Sequence, residues 1–391
     1  MLKAIEKASS RSCFASFEAK RFCEIFTVVS FALTSLTPET MVAANEIVAQ
    51  RLLRQAEWCE KLDSRLYSKL LREAAADVRA LGICCSILRG HHDDPPGSAL
   101  ALRFLGAVHR LVLEGYAREL AACYPSMGGS ADCDDLWLRF HAAAQQHQTS
   151  LRDLIHLPVQ TNEVGRSAAL LGGFLDVVRR TGLPLRLLEI GASAGLILRW
   201  DQYCYEQGDE GWGDPHSPVH ISGVFGNAHP RFDVAVTITE RRGCDTLPVE
   251  PNTKEGKLTL QSYVWPDHLE RFRRLATAIE VADRVPAQLD KANAADWVEA
   301  ALANEVHGVA TVVFHSIVWQ YLASEDCARI ERAIAKAAQA ATVDKPLAWL
   351  RFEPGRDTAE VRLRLWPGGE DRLLARSGFH GTPVHWLISE D

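Results

Sequence analysis

Along residues 41–89, apolar side chains recur at three- and four-residue steps with charges between them. Leu52, Leu53, Ala56, Leu62, Leu66, Leu70, Ala74 and Val78 carry this stripe, which predicts helix with one buried face. His91-His-Asp-Asp-Pro-Pro-Gly97 interrupts it as a loop. Helical spacing resumes over 99–123 and again over 134–146. Residues 41–150 are therefore expected to form a helical N-terminal lobe. Residues 159–166 are dense in polar groups and precede an apolar helix over 168–178, with Thr161 or Asn162 placed to cap it. From residue 185 the pattern changes. Short apolar runs at 185–190, 234–239, 285–289, 309–314 and 347–352 alternate with helical stretches at 194–204, from Trp265 through Ile279, and at 296–303 and 325–341. A Gly-, Asp-, Pro- and His-rich stretch, 207–230, reads as an insertion or small hairpin. Strands at 361–366, 372–375 and 384–388 close the chain. Strands alternating with helices predict an α/β domain over 151–391, with a mostly parallel sheet and helices on both faces.

The first forty residues stand apart. Residues 25–36 are mostly apolar, behind Lys20 and Arg21, but fall short of the ~20 residues a spanning helix needs. Glu6, Glu18 and Glu24 sit where a secretory leader is basic. Residues 1–40 therefore read as an extension or a misread start, with Met41 opening the helical pattern. No membrane segment is expected.

Composition narrows the functional classes. A net charge of -7 and a pI near 6.1 argue against a nucleic-acid partner, because phosphate binding needs clustered Lys and Arg. The ten cysteines show neither C-x-x-C pairing nor zinc spacing, so they read as reduced, buried thiols of a cytoplasmic protein. The adjacent His91, His92, Asp93 and Asp94 lack metal-ligand spacing, and no metal is expected. Neither a Gly-x-Ser-x-Gly elbow, a Walker A loop nor a His-Glu-x-x-His helix is present, which removes the hydrolase, NTPase and zincin classes.

The candidate chemistry lies at the ends of the expected strands, where open α/β sheets bind ligands. The first strand runs into Glu189-Ile-Gly-Ala-Ser-Ala-Gly195. Gly191 and Gly195 suit a tight strand-to-helix turn. Glu189 opposes a pyrophosphate, since a helix N-terminus there recruits anions. Glu189, Gly191, Ala192, Ser193 and Gly195 are the cofactor candidates of this turn. Glu240, ending the second strand, or Asp245 beyond it would accept a ribose diol. Glu240 lies 45 residues past Gly195, against ~20 in dinucleotide folds, and the 207–230 insertion must absorb the excess. Asn293 follows the third strand and is placed to meet an adenine amine. His315 ends the fourth and is the candidate general base. Trp319 and Tyr321 offer stacking surfaces, while Gln160, Asn162, Glu163 and Arg166 are candidates for the substrate mouth.

The turn with its acid resembles motif I of the S-adenosylmethionine-dependent methyltransferases. Together with Gln160-Thr-Asn-Glu-Val-Gly-Arg166, Arg242-Gly-Cys-Asp245, Val264-Trp-Pro-Asp267, Val312-Val-Phe-His-Ser316 and Leu365-Trp-Pro-Gly-Gly369, it also resembles a bacterial family known as domain of unknown function 2332, from Met41 to Leu387. That family has no established activity. The resemblance implies a Rossmann-like class I methyltransferase sheet with an antiparallel C-terminal hairpin and S-adenosylmethionine as cofactor. It departs from the usual pattern in placing Ser193 where a middle glycine is common. The expected function is methyl transfer to a small molecule or a protein side chain. The rivals are a non-catalytic ligand-binding module on the same fold and, less favoured, an NAD-type oxidoreductase.

Overall fold

The computed structural model describes residues 38–226 and 228–388. The apolar stretch 25–36, Cys13 and Cys23 lie outside these residues. Helices α1 (Pro38–Lys61), α2 (Arg65–Arg79), α3 (Ile83–Leu88), α4 (Leu100–Leu113), α5 (Arg118–Ala121), α6 (Leu136–Gln146) and α7 (Gln148–Leu154) form the lobe. None of the helices among the described residues is long and apolar enough to cross a membrane. The run expected as helix over 41–89 breaks at Asp63 and Leu81, both left-handed with φ of 63° and 61°. The stripe survives the breaks because Leu52, Leu66, Leu70 and Val78 all feed one core with Phe104 and Phe140. The run over 99–123 likewise stops at Leu113, where Gly115 takes φ 78°. The 91–97 loop is tied by Asp94, which accepts from Arg103 and from His91 Nδ1 at 2.9 Å.

The cysteine expectation needs one correction. Cys123 and Cys133 form a disulfide, while Cys59, Cys84, Cys85, Cys204, Cys244 and Cys327 are free. A ten-residue separation is no recognised spacing, and the chain turning back between α5 and α6 brings the two together.

The second layer system begins with α8 (Arg166–Thr181) and β1 (Leu185–Ile190). The expected helix at 194–204 is instead a short 3-10 segment, Ile197–Gln202. Leu196, Ile197, Leu198 and Trp200 are all buried, so no single helical face explains them. Trp200 stacks on Phe174 of α8 at 4.5 Å and on Trp212 at 5.1 Å. The 207–230 region contributes to a small three-stranded sheet of β2 (Cys204–Gln207), β3 (Glu210–Trp212) and β4 (His220–Ser222).

β5 (Ile238–Asp245) falls later than the strand expected at 234–239. Phe232, Val234 and Val236 alternate because one side of an extended segment packs on the core, whereas ladder pairing with β1 begins at Ile238. Next come α9 (Lys254–Ser262), α10 (Leu269–Arg284), β6 (Gln288–Lys291), α11 (Ala294–Ala303), β7 (Ala310–Ser316) and α12 (Ser324–Gln339). β8 (Leu347–Pro354), β9 (Ala359–Trp366), β10 (Asp371–Ser377) and β11 (Val384–Trp386) complete the chain. The large sheet has the order β11-β10-β9-β8-β7-β1-β5-β6. Its inner members, β8 to β6, are parallel, and β9, β10 and β11 are antiparallel. The C-terminal part is thus a three-strand meander joined directly to β8, larger than the hairpin expected. One face packs Leu187, Val312, Phe314 and Leu350 against Phe174 and Leu170 of α8. The other packs Leu188, Ile190 and Val313 against Trp297 of α11 and Ile330 of α12.

The lobe is joined to the α/β part at Asp267, before α10. Its carboxylate accepts from Ser64 Oγ at 2.7 and 3.0 Å and from Leu66 N–H at 3.2 Å, so a residue 203 positions away helps cap α2. Asp267→Ala should lower stability by about 2 kcal/mol in chemical denaturation, the value of charge-assisted hydrogen bonds. An unchanged midpoint would show that the junction does not depend on this carboxylate.

Candidate functional site

Strand order reverses between β1 and β7, since β5 and β6 extend one way and β8 the other. The crevice beyond the carboxyl ends of β1 and β7 is the ligand position of such sheets. β1 enters it through Gly191, Ser193 and Gly195, all left-handed, with φ of 69°, 51° and 65°. A Cβ on Gly191 would stand 2.4 Å from Val318 Cγ2, and one on Gly195 would stand 2.9 Å from Leu289 Cδ2. Ser193 is the exception, a side-chain-bearing residue in a glycine conformation. Its N–H donates to Asp245 Oδ2 at 3.0 Å and its hydroxyl to Gln160 Oε1 at 2.5 Å. Its carbonyl accepts from Val249 N–H at 3.1 Å. Asn162 Oδ1 accepts from Leu196 N–H at 2.9 Å. Gln160, Asn162 and Asp245 thus hold the turn. Ala192 is buried beneath it, its Cβ 2.5 Å from where a Cβ on Gly243 would lie.

Glu189, next to the last residue of β1, is 1% exposed, and its buried Oε2 has no hydrogen-bond partner among the described residues. Burial pushes its carboxyl well above the ordinary value; nearby Arg199 opposes this, Asp245 adds to it and Arg166 opposes it. Both guanidinium groups are committed elsewhere. Arg199 bonds the carbonyls of Gly195 at 2.7 Å and Val285 at 2.7 Å. Arg166 bonds those of Ser316 at 3.1 Å and Phe379 at 3.2 Å. The result is a carboxyl with cationic neighbours in the vicinity and no donor attached.

Other expected site residues sit differently. Glu240 is not at a strand end. β5 continues five residues beyond it, and it pairs in register with Arg186 near the start of β1, accepting from Arg186 Nε at 2.5 Å. The acid at the end of β5 is Asp245, whose Oδ1 also accepts from Leu247 N–H at 2.9 Å. Asn293 caps α11, taking Ala295 N–H at 2.8 Å and Asp296 N–H at 3.2 Å, and donates to Asp326 at 2.9 Å. Glu163 binds Arg271 Nε at 2.5 Å and Gly165 N–H at 3.0 Å. Burial raises its carboxyl, but Arg271, His380 and Arg274 together with the Gly165 N–H outweigh that and hold it at about 2. Glu163 is therefore an internal ion-pair member. Tyr321 is 51% exposed.

His315 was expected as a base and is found enclosed. It is 1% exposed, its Nδ1 lies 2.6 Å from Glu353 Oε1, and Trp349 Nε1–H donates to its Nε2 at 3.2 Å. Trp319 stacks on the ring at 4.9 Å. With Nε2 accepting, the proton resides on Nδ1 and is donated to Glu353, which leaves no free ring nitrogen for a substrate. Glu353 Oε1 also accepts from Val318 N–H at 3.1 Å and Trp319 N–H at 3.3 Å. This pair therefore sets the turn that places Val318 against Gly191. The apolar run 347–352 predicts a strand ending at Phe352 and leaves out Glu353; its signal is a strand-end acid before Pro354 and Gly355. His315→Ala should lower stability by about 3 kcal/mol, as loss of a buried hydrogen-bonded ring does. A midpoint shift in denaturation measures it, and an unchanged midpoint would contradict the enclosed role.

No curated protein and no solved structure matches the chain. A family model does, over residues 49–386, that of the uncharacterized protein conserved in bacteria, DUF2332. It covers the lobe from within α1 onward, the Ser193 turn, the His315–Glu353 pair and the C-terminal meander. The chain belongs to the DUF2332 family.

Proposed function

We propose that the chain is an S-adenosylmethionine-dependent methyltransferase whose crevice between β1 and β7 takes the cofactor's cationic amino-acid end. The observation that carries this reading is Glu189, a fully buried carboxyl with an unpartnered oxygen beside a left-handed turn. An uncompensated buried carboxylate costs several kcal/mol. A ligand bearing an ammonium and a sulfonium would remove that penalty, whereas a pyrophosphate would increase it. This weighs against the NAD-type reading.

Within that reading, Glu189 receives the ammonium and Asp245, with lone pairs left over from its two backbone bonds, accepts a ribose diol. Asn293 is occupied as a helix cap, so adenine recognition falls to backbone around the ends of β5 and β6. The bound cofactor would supply an electrophilic methyl group, and methyl transfer needs mainly positioning. The enclosure of His315 is compatible with that, because no side-chain base is obligatory. The acceptor is a small molecule or a protein side chain, in keeping with the acidic net charge of -7. A second reading, a ligand-binding module without turnover, is favoured by the same enclosure, since His315 has both ring nitrogens occupied.

Proton linkage tests the role of Glu189. In the free protein its ionisation lies above the ordinary carboxylate range. A bound cation favours the ionised form, so binding releases a proton. Affinity for S-adenosylmethionine should therefore rise with pH through the interval between the bound and free ionisations, and level off above the free one. Glu189→Gln should bind about 10- to 100-fold more weakly with a flat pH profile. A wild-type profile that falls or stays flat, measured by calorimetry across pH, would remove the ion pair from the account.

A further inference from the structure

A cleft of about 370 Å³ opens between the lobe and the α/β part, within the size range of small-molecule sites. Its lobe wall comes from Gly106 and Ala107 of α4 and from Leu157 and Pro158 after α7. Its opposite wall is Leu247, Pro248 and Val249, following β5. Leu157 and Leu247 are 41% and 38% exposed, so apolar side chains face solvent from both walls of the cleft, a pattern that marks binding surfaces.

The polar groups of the cleft are few and mostly spent. Arg110 donates to both oxygens of Glu255 at 2.7 Å and to Thr259 Oγ1 at 3.3 Å. With Glu250 also on the wall, no positive charge is left over for an anionic ligand. Gln160 lines the cleft and spends its amide on Leu247 O at 3.1 Å and on Ser193 Oγ at 2.5 Å. It thereby forms a partition between the cleft and the Ser193 turn. Tyr263 is different. Its ring stands 2.6 Å from where a Cβ on Gly106 would lie, and its hydroxyl has no partner among the described residues. Burial pushes that hydroxyl up to about 12, against the pull of Arg103 and Arg110, so it stays a neutral donor and acceptor.

We propose that this cleft is a binding site for a small, uncharged, mainly apolar molecule carrying one hydrogen-bonding group, which meets the Tyr263 hydroxyl. Apolar walls supply affinity, and the single unpartnered hydroxyl fixes orientation. Glu189 does not line this cleft, and the proposal does not depend on methyl transfer.

N-phenylnaphthylamine, uncharged with one N–H, is the probe, read by its fluorescence on the full chain. It should bind, and its sulfonated analogue anilinonaphthalene sulfonate should bind more weakly. Leu157→Glu and Leu247→Glu place a charge on opposite, solvent-exposed walls and should each weaken the probe by about tenfold or more with an unchanged melting temperature. Glu189→Gln should leave probe affinity unaltered. The proposal is overturned if the probe fails to bind or if the sulfonate binds equally well. Retention of affinity in both leucine variants, or loss of it in the Glu189 variant, overturns it too.

Discussion

The whole arrangement depends on burying the carboxyl of Glu189 without giving it a donor. Folding a chain around such a group is unfavourable, and Arg199 and Arg166 oppose the effect of burial only from nearby, with no hydrogen-bond donor on the buried Oε2. The two guanidinium groups near enough to influence it, Arg199 and Arg166, are both spent on backbone carbonyls. Those bonds fix the segments that shape the crevice: Arg199 holds the far end of the Gly195 turn, and Arg166 holds Ser316, the last residue of β7, and the loop before β11. The cations thus shape the site without donating a hydrogen bond to the buried Oε2 of Glu189. On the proposed reading this is pre-organisation for a cationic ligand.

The turn itself is over-determined. Ser193 occupies a left-handed conformation that costs a side-chain-bearing residue on the order of 1 kcal/mol. Asp245, Gln160 and Val249 each contribute a hydrogen bond that holds it there. Two of these partners come from segments that also line the lobe junction. These segments face the lobe across the junction, and Asp267 capping α2 ties the two parts together. On the opposite face of the sheet, His315 and Glu353 do the same for the Val318 turn.

The sequence made the architecture legible where apolar periodicity is read by packing alone. β1, β7 and β8 are buried on both faces, and their continuous apolar runs mark them. It was less legible where an apolar pattern arises without the expected pairing. Val234 and Val236 alternate on an unpaired extended segment, which drew the strand forward and made Glu240 look like a strand end. Leu196, Ile197, Leu198 and Trp200 are apolar on more than one helical face because they are enclosed by α8, α10 and the small sheet. Of the site, the glycine turn, Glu189 and Asp245 were readable from residue type and position. The pairing of Glu163 with Arg271 and of His315 with Glu353 was not, since those partners lie 108 and 38 residues away, whereas the Asn293 cap is local, to Ala295 and Asp296.

The central claim is that the crevice at the end of β1 holds a methionine-derived cation. Calorimetric titration with S-adenosylmethionine, S-adenosylhomocysteine and NAD, on the wild type and on Gly191→Val, tests it most directly. The account predicts binding of both methionine-derived ligands to the wild type and none of NAD. It also predicts loss of that binding in Gly191→Val, whose side chain would meet Val318. Absence of binding by either methionine-derived ligand, or preferential binding of NAD, would contradict it.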